Sequence, residues 1–508
     1  MKKLFTLLMA ATLAIGSYAK DYTDNLVVSI NNMPMSTQKS TISVNAQDNG
    51  KYTFLLKDFS FSEMNIGDIN LTDVEGNTVN GTTYLRTAQT VNVNLMGSSI
   101  SLPIILRAEI AEDKLKADMD IAGIPGMAIH VTFAGGGDLG GFQIPNSGFE
   151  DYYTYTNNIQ EPLYWHSFAS AGGSLASFVN GTKHTEPSKE VRPKSTGKSS
   201  LKVTSSSFGT IIANGTITTG RMNAGGFTAS DKKNHAQIDM NSTDKDGHGD
   251  PYYVALNGQP DSLNVWIAFK QGTPNSKYPY ATVSAITTDG TYYQDPEDKT
   301  YTNKRAEAKD VKIATTFTGN TVTWKKLSIP FSEVNKGITP KTILVTMSTN
   351  AAAGQGSGID ELYIDDLSLI YNLPTVKGIN FKGQTLTFDE NNTAEIKASG
   401  TVSASDFSVE TEGALGAHVN TYINTAKDEN DNDVPVAYII VTSGDYKKFQ
   451  TYTVSLPGAT TSAIKSIATD NNNSKTELYN LAGQRISNAQ PGQVVIVKKG
   501  DKAVKVLK

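Results

Sequence analysis

Short runs in which apolar and polar residues alternate recur along almost the whole chain after residue 19. Alternation of this kind gives a segment one apolar and one polar face, which is typical of half-buried antiparallel strands. Apolar residues at helical spacing are almost absent beyond that point. The pattern therefore predicts an all-β fold. The clearest runs are residues 41–44, 90–95, 262–269 and 451–456.

A chain of 508 residues is too long for one hydrophobic core, and a length of about 150 residues per domain suggests three or four domains. The distribution of strand patterns and loop residues predicts five segments. They are a signal peptide at 1–19, a β-barrel at 20–134, a larger β-sandwich at 142–371, a small β-sandwich at 374–457 and a short C-terminal β tail at 474–508.

The first 19 residues have the layout of a secretory signal. Lys2 and Lys3 precede an apolar run at 4–15, and small residues end the segment at Ala19. We therefore expect export, a mature chain beginning at Lys20, and a location at the cell surface or in the periplasm. No later stretch reaches the roughly 18 apolar residues of a membrane span, so the sequence predicts no transmembrane segment.

Composition excludes several kinds of chemistry. The chain has no cysteine, which rules out disulfides, a lipid-anchored cysteine and thiolate sites for zinc or iron-sulfur clusters. Its formal net charge of -5 is small for this length and is not segregated into long runs. Nothing therefore points to a nucleic-acid partner or to an anionic membrane.

The first unit contains strand patterns at Tyr52–Phe59, Ile66–Leu71 and Ile129–Ala134, and it ends before the glycines 135–137, which are typical of a linker. In this order the unit resembles the calycin-like, lipocalin-like barrels of exported bacterial proteins. A closed barrel of this size either holds a small apolar ligand or is filled by its own side chains. The sequence leaves both open.

The second unit carries a sharper resemblance. Residues 144–150 and 362–371 resemble the paired first and last strands of carbohydrate-binding jelly rolls. Together with the motifs between them, they resemble the carbohydrate metabolism domain, a jelly-roll module of exported bacterial proteins named for an expected sugar role. The polar segment 292–312 is predicted to be an exposed loop or meander. The intervening motifs are Tyr164-Trp165, residues 195–203, 262–269 and 324–331.

The third unit and the tail are described by weaker patterns. Strand lengths and spacing at 374–457 suit an immunoglobulin-like β-sandwich. Residues 478–486 and 491–498 resemble the C-terminal sorting tail of the type IX secretion system. Gly492-Gln493-Val494-Val495 stands where that family usually has Gly-hydrophobic-Tyr, so a relic tail folded as a small sheet is the alternative.

The resemblance to sugar-binding jelly rolls implies a structural calcium ion. In those domains two carboxylates at the positions of Glu150 and Asp365, together with backbone carbonyls, hold a calcium that ties the first strand to the last. Oxygen ligands suit this hard cation. The alternative is that Glu150 and Asp365 are ordinary polar residues at strand ends.

Sugar recognition normally uses exposed aromatic faces flanked by hydrogen-bonding side chains. Trp266 is the most interesting candidate, because residues 263, 265, 267 and 269 alternate onto one face and leave Trp266 on the other. For each aromatic residue a role in core packing is the alternative. The candidates are Tyr152, Tyr153, Trp165, Tyr252, Tyr253 and Trp266.

No catalytic constellation is visible. The six histidines are scattered, and Thr196-Gly197-Lys198-Ser199 matches the end of a phosphate-binding loop but has Arg192 where the first glycine should stand, so we expect a turn into the next strand. The sequence thus predicts a noncatalytic glycan-binding protein. The alternatives are a structural or adhesive surface protein without sugar binding and a glycoside-active enzyme, whose paired carboxylates would be invisible in sequence.

Overall fold

The computed structural model describes residues 19–461, with gaps at 62–63, 80, 96–97, 125–126, 138, 156, 210 and 428–431, and four strands between 476 and 507. The predicted signal peptide lies almost wholly outside the described residues. The predicted all-β class is confirmed. Within the described ranges the helical elements are one short α-helix, α1 (Ala176–Val179), and two 3₁₀ turns at Phe168–Ser170 and Ala404–Asp406.

The N-terminal unit is a closed up-and-down barrel of eight antiparallel strands, in which β1 pairs with both β2 and β8. This confirms the predicted calycin-like barrel. Its strands are β1 (Lys20–Ile30), β2 (Met33–Ala46), β3 (Tyr52–Phe61), β4 (Met64–Val79), β5 (Thr82–Leu95), β6 (Ser98–Ala111), β7 (Lys114–Ile121) and β8 (Ile129–Phe133).

Alternating residues of the barrel strands fill its interior. In β8, Ile129, Val131 and Phe133 are at most 2% exposed, whereas His130 and Thr132 between them are partly exposed. The inward side chains of all eight strands form one continuous apolar cluster. An apolar ligand in the barrel stays a prediction.

The second unit is a β-sandwich whose two large sheets have the strand orders β11-β12-β26-β19-β23 and β15-β25-β20-β22-β24, with β18 also pairing with β25. Its strands are β9 (Tyr152–Thr154), β10 (Gln160–Pro162), β11 (Thr185–Ser188), β12 (Ser200–Thr204), β13 (Ser206–Phe208), β14 (Ile211–Ala213), β15 (Thr216–Thr218), β16 (Arg221–Asn223), β17 (His235–Ile238), β18 (Val254–Ala255), β19 (Ser262–Lys270), β20 (Tyr280–Thr288), β21 (Tyr293–Asp295), β22 (Lys304–Ala314), β23 (Lys325–Pro330), β24 (Ser332–Glu333), β25 (Thr342–Ser348) and β26 (Glu361–Ile370).

The sandwich core forms between these two sheets. Leu263, Val265 and Ile267 of β19 are fully buried in the same cluster as Ile343 and Val345 of β25. This burial follows from the period-two alternation of both strands. We call the two layers the five-stranded sheet and the six-stranded sheet. The small sheet β16-β17-β21 covers part of the outer face of the six-stranded sheet through a second apolar cluster.

Two predictions for this unit need correction. Residues 144–150 form turns rather than a strand, yet the Leu367 backbone N–H donates to the Ser147 carbonyl at 3.0 Å, so this segment does run beside β26. The segment 292–312 is not simply an exposed loop. It contains β21 and most of β22, and Tyr293 and Ala306 are fully buried.

The third unit is also a β-sandwich, with sheets β28-β27-β31 and β29-β34-β33-β32 around a shared apolar core. The tail forms a four-stranded sheet in the order β37-β36-β38-β39. The strands are β27 (Thr375–Phe381), β28 (Gln384–Thr385), β29 (Thr393–Glu395), β30 (Gly400–Val402), β31 (Phe407–Glu412), β32 (His418–Lys427), β33 (Asp433–Thr442), β34 (Phe449–Ser455), β35 (Ala459–Thr461), β36 (Thr476–Tyr479), β37 (Arg485–Ile486), β38 (Val494–Lys499) and β39 (Lys502–Leu507).

The third unit packs against both of the others. Toward the barrel, the Arg107 guanidinium donates to the Tyr446 carbonyl at 2.6 Å, and Ile105 and Ile440 are buried in one apolar cluster. Toward the large sandwich, the Lys448 ammonium donates to the Tyr371 carbonyl at 2.8 Å. Between the barrel and the large sandwich, Asn77 Nδ2 donates to Asn257 Oδ1 at 2.5 Å, so the three units form a ring of contacts rather than a row.

The glycines 135–137 do not form a free linker. All three have positive φ, which glycine adopts without strain, and Gly137 donates its N–H to the Asp118 carboxylate at 3.3 Å. A Cβ at Gly136 would lie 1.9 Å from an Asp118 oxygen. These glycines are needed so that the chain can turn closely over the barrel wall.

Candidate functional site

A cleft of about 430 Å³ opens on the outer face of the six-stranded sheet, beside the small sheet β16-β17-β21. The inward residues of β20 and β25 pack in the sandwich core, whereas the outward residues at this end of both strands have small side chains. The small outward side chains leave the cleft open. The outward residues of this part of the sheet are Thr282 and Ser284 on β20 and Thr346 and Ser348 on β25.

The floor of the cleft is lined by hydroxyl and amide groups. The Thr216 hydroxyl donates to Ser348 Oγ at 3.2 Å, and Asn214 Nδ2 donates to the same oxygen at 3.1 Å. Among the described residues, the Thr282 hydroxyl is buried without a hydrogen-bond partner. Buried hydroxyls are normally paired, so the Thr282 hydroxyl has unused capacity to donate and accept hydrogen bonds.

The walls of the cleft carry aromatic side chains. Phe178 is 62% exposed and Phe227 is 82% exposed, and both line the cleft. Phe178 lies on α1, and Phe227 follows two glycines in the loop between β16 and β17. Phe168, from the 3₁₀ turn, also lines it. Phenyl faces this exposed have not been used for core packing and remain available to a ligand.

Two carboxylates also line the cleft, Asp295 on β21 and Asp310 on β22. Burial raises the pKa of Asp295 above its usual range, although the Lys309 ammonium at 3.1 Å opposes that shift and Asp310 adds to it. Burial also lowers the pKa of His184, whose Nδ1 lies 2.9 Å from the Thr204 carbonyl, so His184 is uncharged near neutral pH.

The aromatic residues predicted from the sequence lie elsewhere. Trp165 is fully buried, packs on Phe149 at 5.2 Å between ring centroids and donates from Nε1 to the Pro145 carbonyl at 3.2 Å. Its ring is part of the sandwich core and presents no face to a sugar. Tyr152 is half-buried against the same core, and its hydroxyl donates to the Ser200 carbonyl at 3.1 Å.

Tyr252 and Tyr253 are 6% and 7% exposed. Tyr253 packs in the cluster beneath the small sheet, and its edge lines a second groove of about 580 Å³ between the barrel and the large sandwich. Tyr153 is half-buried, and its ring packs against Tyr155 and His248. None of these tyrosines lines the aromatic cleft.

Trp266 is on the outward face of β19, as its alternation predicted, but that strand belongs to the five-stranded sheet. It stands opposite Asp365 of β26 and Lys326 of β23. The Arg192 guanidinium lies over its ring, 5.5 Å from the centroid. Trp266 is thus on the other sheet from the cleft, with one face occupied by a cation of the protein itself.

The predicted calcium ligand Glu150 is held by a turn. Lys198 donates its backbone N–H to both carboxylate oxygens, at 2.9 and 3.0 Å, and Ser199 adds a second N–H at 3.2 Å. A Cβ at Gly197 would lie 2.1 Å from Glu150 Oε1. The segment that mimics a phosphate-binding loop is therefore a turn, and its N–H groups bind this internal carboxylate.

Asp365 has a different environment. It is fully buried, one carboxylate oxygen accepts the Arg192 backbone N–H at 2.9 Å, and the other has no hydrogen-bond partner among the described residues. Burial raises the pKa of this carboxyl to about 6. The described residues contain no group of three or more acidic or histidine side chains arranged to hold a metal. A calcium ion at Glu150 and Asp365 stays a prediction.

Sequence reasoning missed Phe178, Phe227 and Asp310. One signal was available for Phe227, because an aromatic residue after Gly225-Gly226 in a polar loop has no strand or helix pattern to bury it. The side chain of Asp310 is directed by an irregularity in the pairing of β22, which strand alternation does not reveal.

Comparison with known protein families gives a match for the N-terminal unit. Residues 19–136 match the family described as Calycin-like beta-barrel domain, in agreement with the closed eight-stranded barrel. A comparison with curated proteins finds no significant match.

Among solved structures, the beta-1,2-glucanase from Parabacteroides distasonis aligns with 14% sequence identity and a TM-score of 0.18, over 55% of this chain and 34% of the glucanase. The alignment thus spans about a third of that protein's length, and similarity at this level carries no argument about fold or activity. No helix among the described residues is long and apolar enough to cross a membrane.

Proposed function

We propose that this protein binds a glycan without cleaving it, in the cleft on the six-stranded sheet. The observation that carries the proposal is the pairing of two highly exposed phenyl rings, Phe178 and Phe227, with a floor of threonine, serine and asparagine side chains. Aromatic faces pack on the C–H groups of a sugar ring, while hydroxyl and amide groups fix its orientation.

The predicted secretory signal and the size of the cleft support the same proposal. A chain with a secretory signal at 1–19 would meet glycans at the cell surface or in the periplasm. The cleft's size fits this use as well, since about 430 Å³ lies within the range of pockets that bind small organic ligands.

The test uses the full mature chain on a broad glycan array, followed by affinity gel electrophoresis on the glycans that bind. We expect Phe227→Ala and Phe178→Ala each to weaken binding about tenfold, since loss of one stacking face costs roughly 1–1.5 kcal/mol. Met33→Ala is the matched control, because Met33 is 64% exposed but lies on the barrel. A folded chain that binds nothing on the array would favour the structural or adhesive role.

Asp295 and Asp310 support a second candidate, cleavage of a glycosidic bond, because two carboxylates in one cleft are the usual equipment for that reaction. Its test is the release of reducing sugar from every glycan that binds. We expect no turnover. Turnover that Asp295→Asn and Asp310→Asn each abolish, with binding retained, would establish the enzyme instead.

A further inference from the structure

The charges that line the cleft are all of one sign. Asp295 and Asp310 line it, and no lysine or arginine does so among the described residues. The Lys309 ammonium pairs with Asp295 and Glu297, at 3.1 and 3.0 Å. A ligand in the cleft therefore meets negative charge together with uncharged hydroxyl and phenyl groups.

A bulge in β22 presents the Asp310 carboxylate. Pairing with β20 places Val283 opposite Val311 and Ala285 opposite Ala308, so Lys309 and Asp310 together oppose the single residue Ser284. A β-bulge of this kind re-aims side chains at binding sites. The Lys309 ammonium pairs with Asp295 and Glu297. Asp310 is exposed and lines the cleft, and among the described residues it has no ion pair.

The bulge is fixed by its own backbone. Asp310 has φ of 54°, in the left-handed region that few residues other than glycine, asparagine and aspartate adopt, and its N–H donates to Ser284 Oγ at 3.0 Å. This conformation costs free energy and persists only where the surroundings impose it, which is common at binding sites. The backbone at Asp310 is thus fixed beside the cleft before any ligand arrives.

We infer that the cleft selects glycans without anionic groups and that Asp310 is the residue that sets this specificity, a conclusion that rests on the proposed glycan-binding function. The Asp310 carboxylate accepts hydrogen bonds from sugar hydroxyl groups, and it repels uronate or sulfate groups placed nearby. At separations of about 5–7 Å near a protein surface, repulsion between two such charges corresponds to roughly a tenfold or greater loss of affinity.

The test compares matched ligands that differ by one charge. Oligosaccharides that contain glucuronic or galacturonic acid are titrated against the full mature chain beside their carboxyl-reduced, neutral counterparts. For each pair that binds, we expect the wild type to have at least about tenfold higher affinity for the neutral member. Asp310→Asn should reduce that preference several-fold. Asparagine also tolerates the left-handed conformation, so this variant keeps the bulge.

Asp151→Asn is the control, because Asp151 is an exposed carboxylate of the same sandwich that does not line the cleft. It should leave the preference unchanged. The specificity role would be overturned if the wild type bound the acidic ligands as well as or better than the neutral ones, or if Asp310→Asn left the preference unchanged. In either case Phe227→Ala would still weaken binding. Failure of the proposed function differs, since then neither member of any pair binds and Phe227→Ala has no effect.

Discussion

The Lys198 backbone N–H donates to both carboxylate oxygens of Glu150, at 2.9 and 3.0 Å, across 48 positions of sequence. The bond joins the start of the large sandwich to the turn before β12. It gives Glu150 a role that needs no cation, because backbone N–H groups already balance its charge.

We expect Glu150→Gln to lower the free energy of unfolding by about 1 kcal/mol, since hydrogen bonds to a charged acceptor become weaker neutral ones. Gly197→Ala should cost a similar amount, because its Cβ would displace the same carboxylate. Urea unfolding measures both. Since the two changes break one contact, the double variant should lose less than the sum of the single variants. Additive losses would show that the two changes do not act through one shared contact.

The same geometry bears on calcium. Because Glu150 is held by N–H donors, we expect EGTA to leave the melting temperature of the full chain unchanged. A bound ion would instead stabilise the folded state by mass action, so its removal would lower the melting temperature. A drop that appears in the wild type and vanishes in Glu150→Gln and Asp365→Asn would establish the calcium site.

Trp266→Ala tests which of the two sheets of the large sandwich binds the glycan. The change removes the contact with the Arg192 guanidinium and exposes part of the five-stranded sheet, so we expect about 1–3 kcal/mol less stability in urea. Glycan affinity should stay at the wild-type value, because Trp266 does not line the cleft. Lost binding in Trp266→Ala together with normal binding in Phe227→Ala would move the site to the five-stranded sheet.

His418 makes stability depend on pH. Its ring stacks on Tyr446 at 4.8 Å, and burial, with a smaller contribution from the Arg86 charge, lowers its pKa to about 4. The unfolded chain has a histidine pKa near 6.5. Between these values the unfolded state binds more protons, so stability falls as the pH drops from about 6.5 to about 4 and is unaffected by this group above that window.

Urea unfolding at pH 7.5 and pH 4.5 tests this. We expect the wild type to lose about 1–3 kcal/mol more than His418→Gln between the two conditions. His248→Gln is the control, because the His248 side chain is 45% exposed. If His418→Gln shows the full acid loss of the wild type, the histidine is not the group responsible.

Strand alternation was enough to predict the all-β class. The run from Leu263 to Phe269 identified the core face of β19 and placed Trp266 on the opposite face, and both placements are confirmed. The barrel was predicted from the resemblance of its strand order to calycin-like barrels, and alternating residues such as Ile129 and Val131 fill it. Alternation does not say which sheet a strand joins, and so it could not place Trp266 relative to the cleft.

Other errors came from treating charge as exposure. The segment 292–312 is rich in charged residues, but Lys304 and Lys309 both pair with Glu297, at 2.8 and 3.0 Å. Tyr293 is fully buried beside these ion pairs, and its hydroxyl donates to Glu297 at 3.0 Å. Such pairs join a loop residue to a strand and cannot be recognised from sequence order.

The ring of contacts among the three units limits how the chain can be cut. A fragment that contains only the large sandwich would leave the Tyr371 carbonyl without the Lys448 ammonium, and a fragment that contains only the barrel would expose Ile105 to water. Expression as separate domains would therefore expose interdomain surfaces that are prone to aggregation. Limited proteolysis should leave the three units as one protease-resistant body.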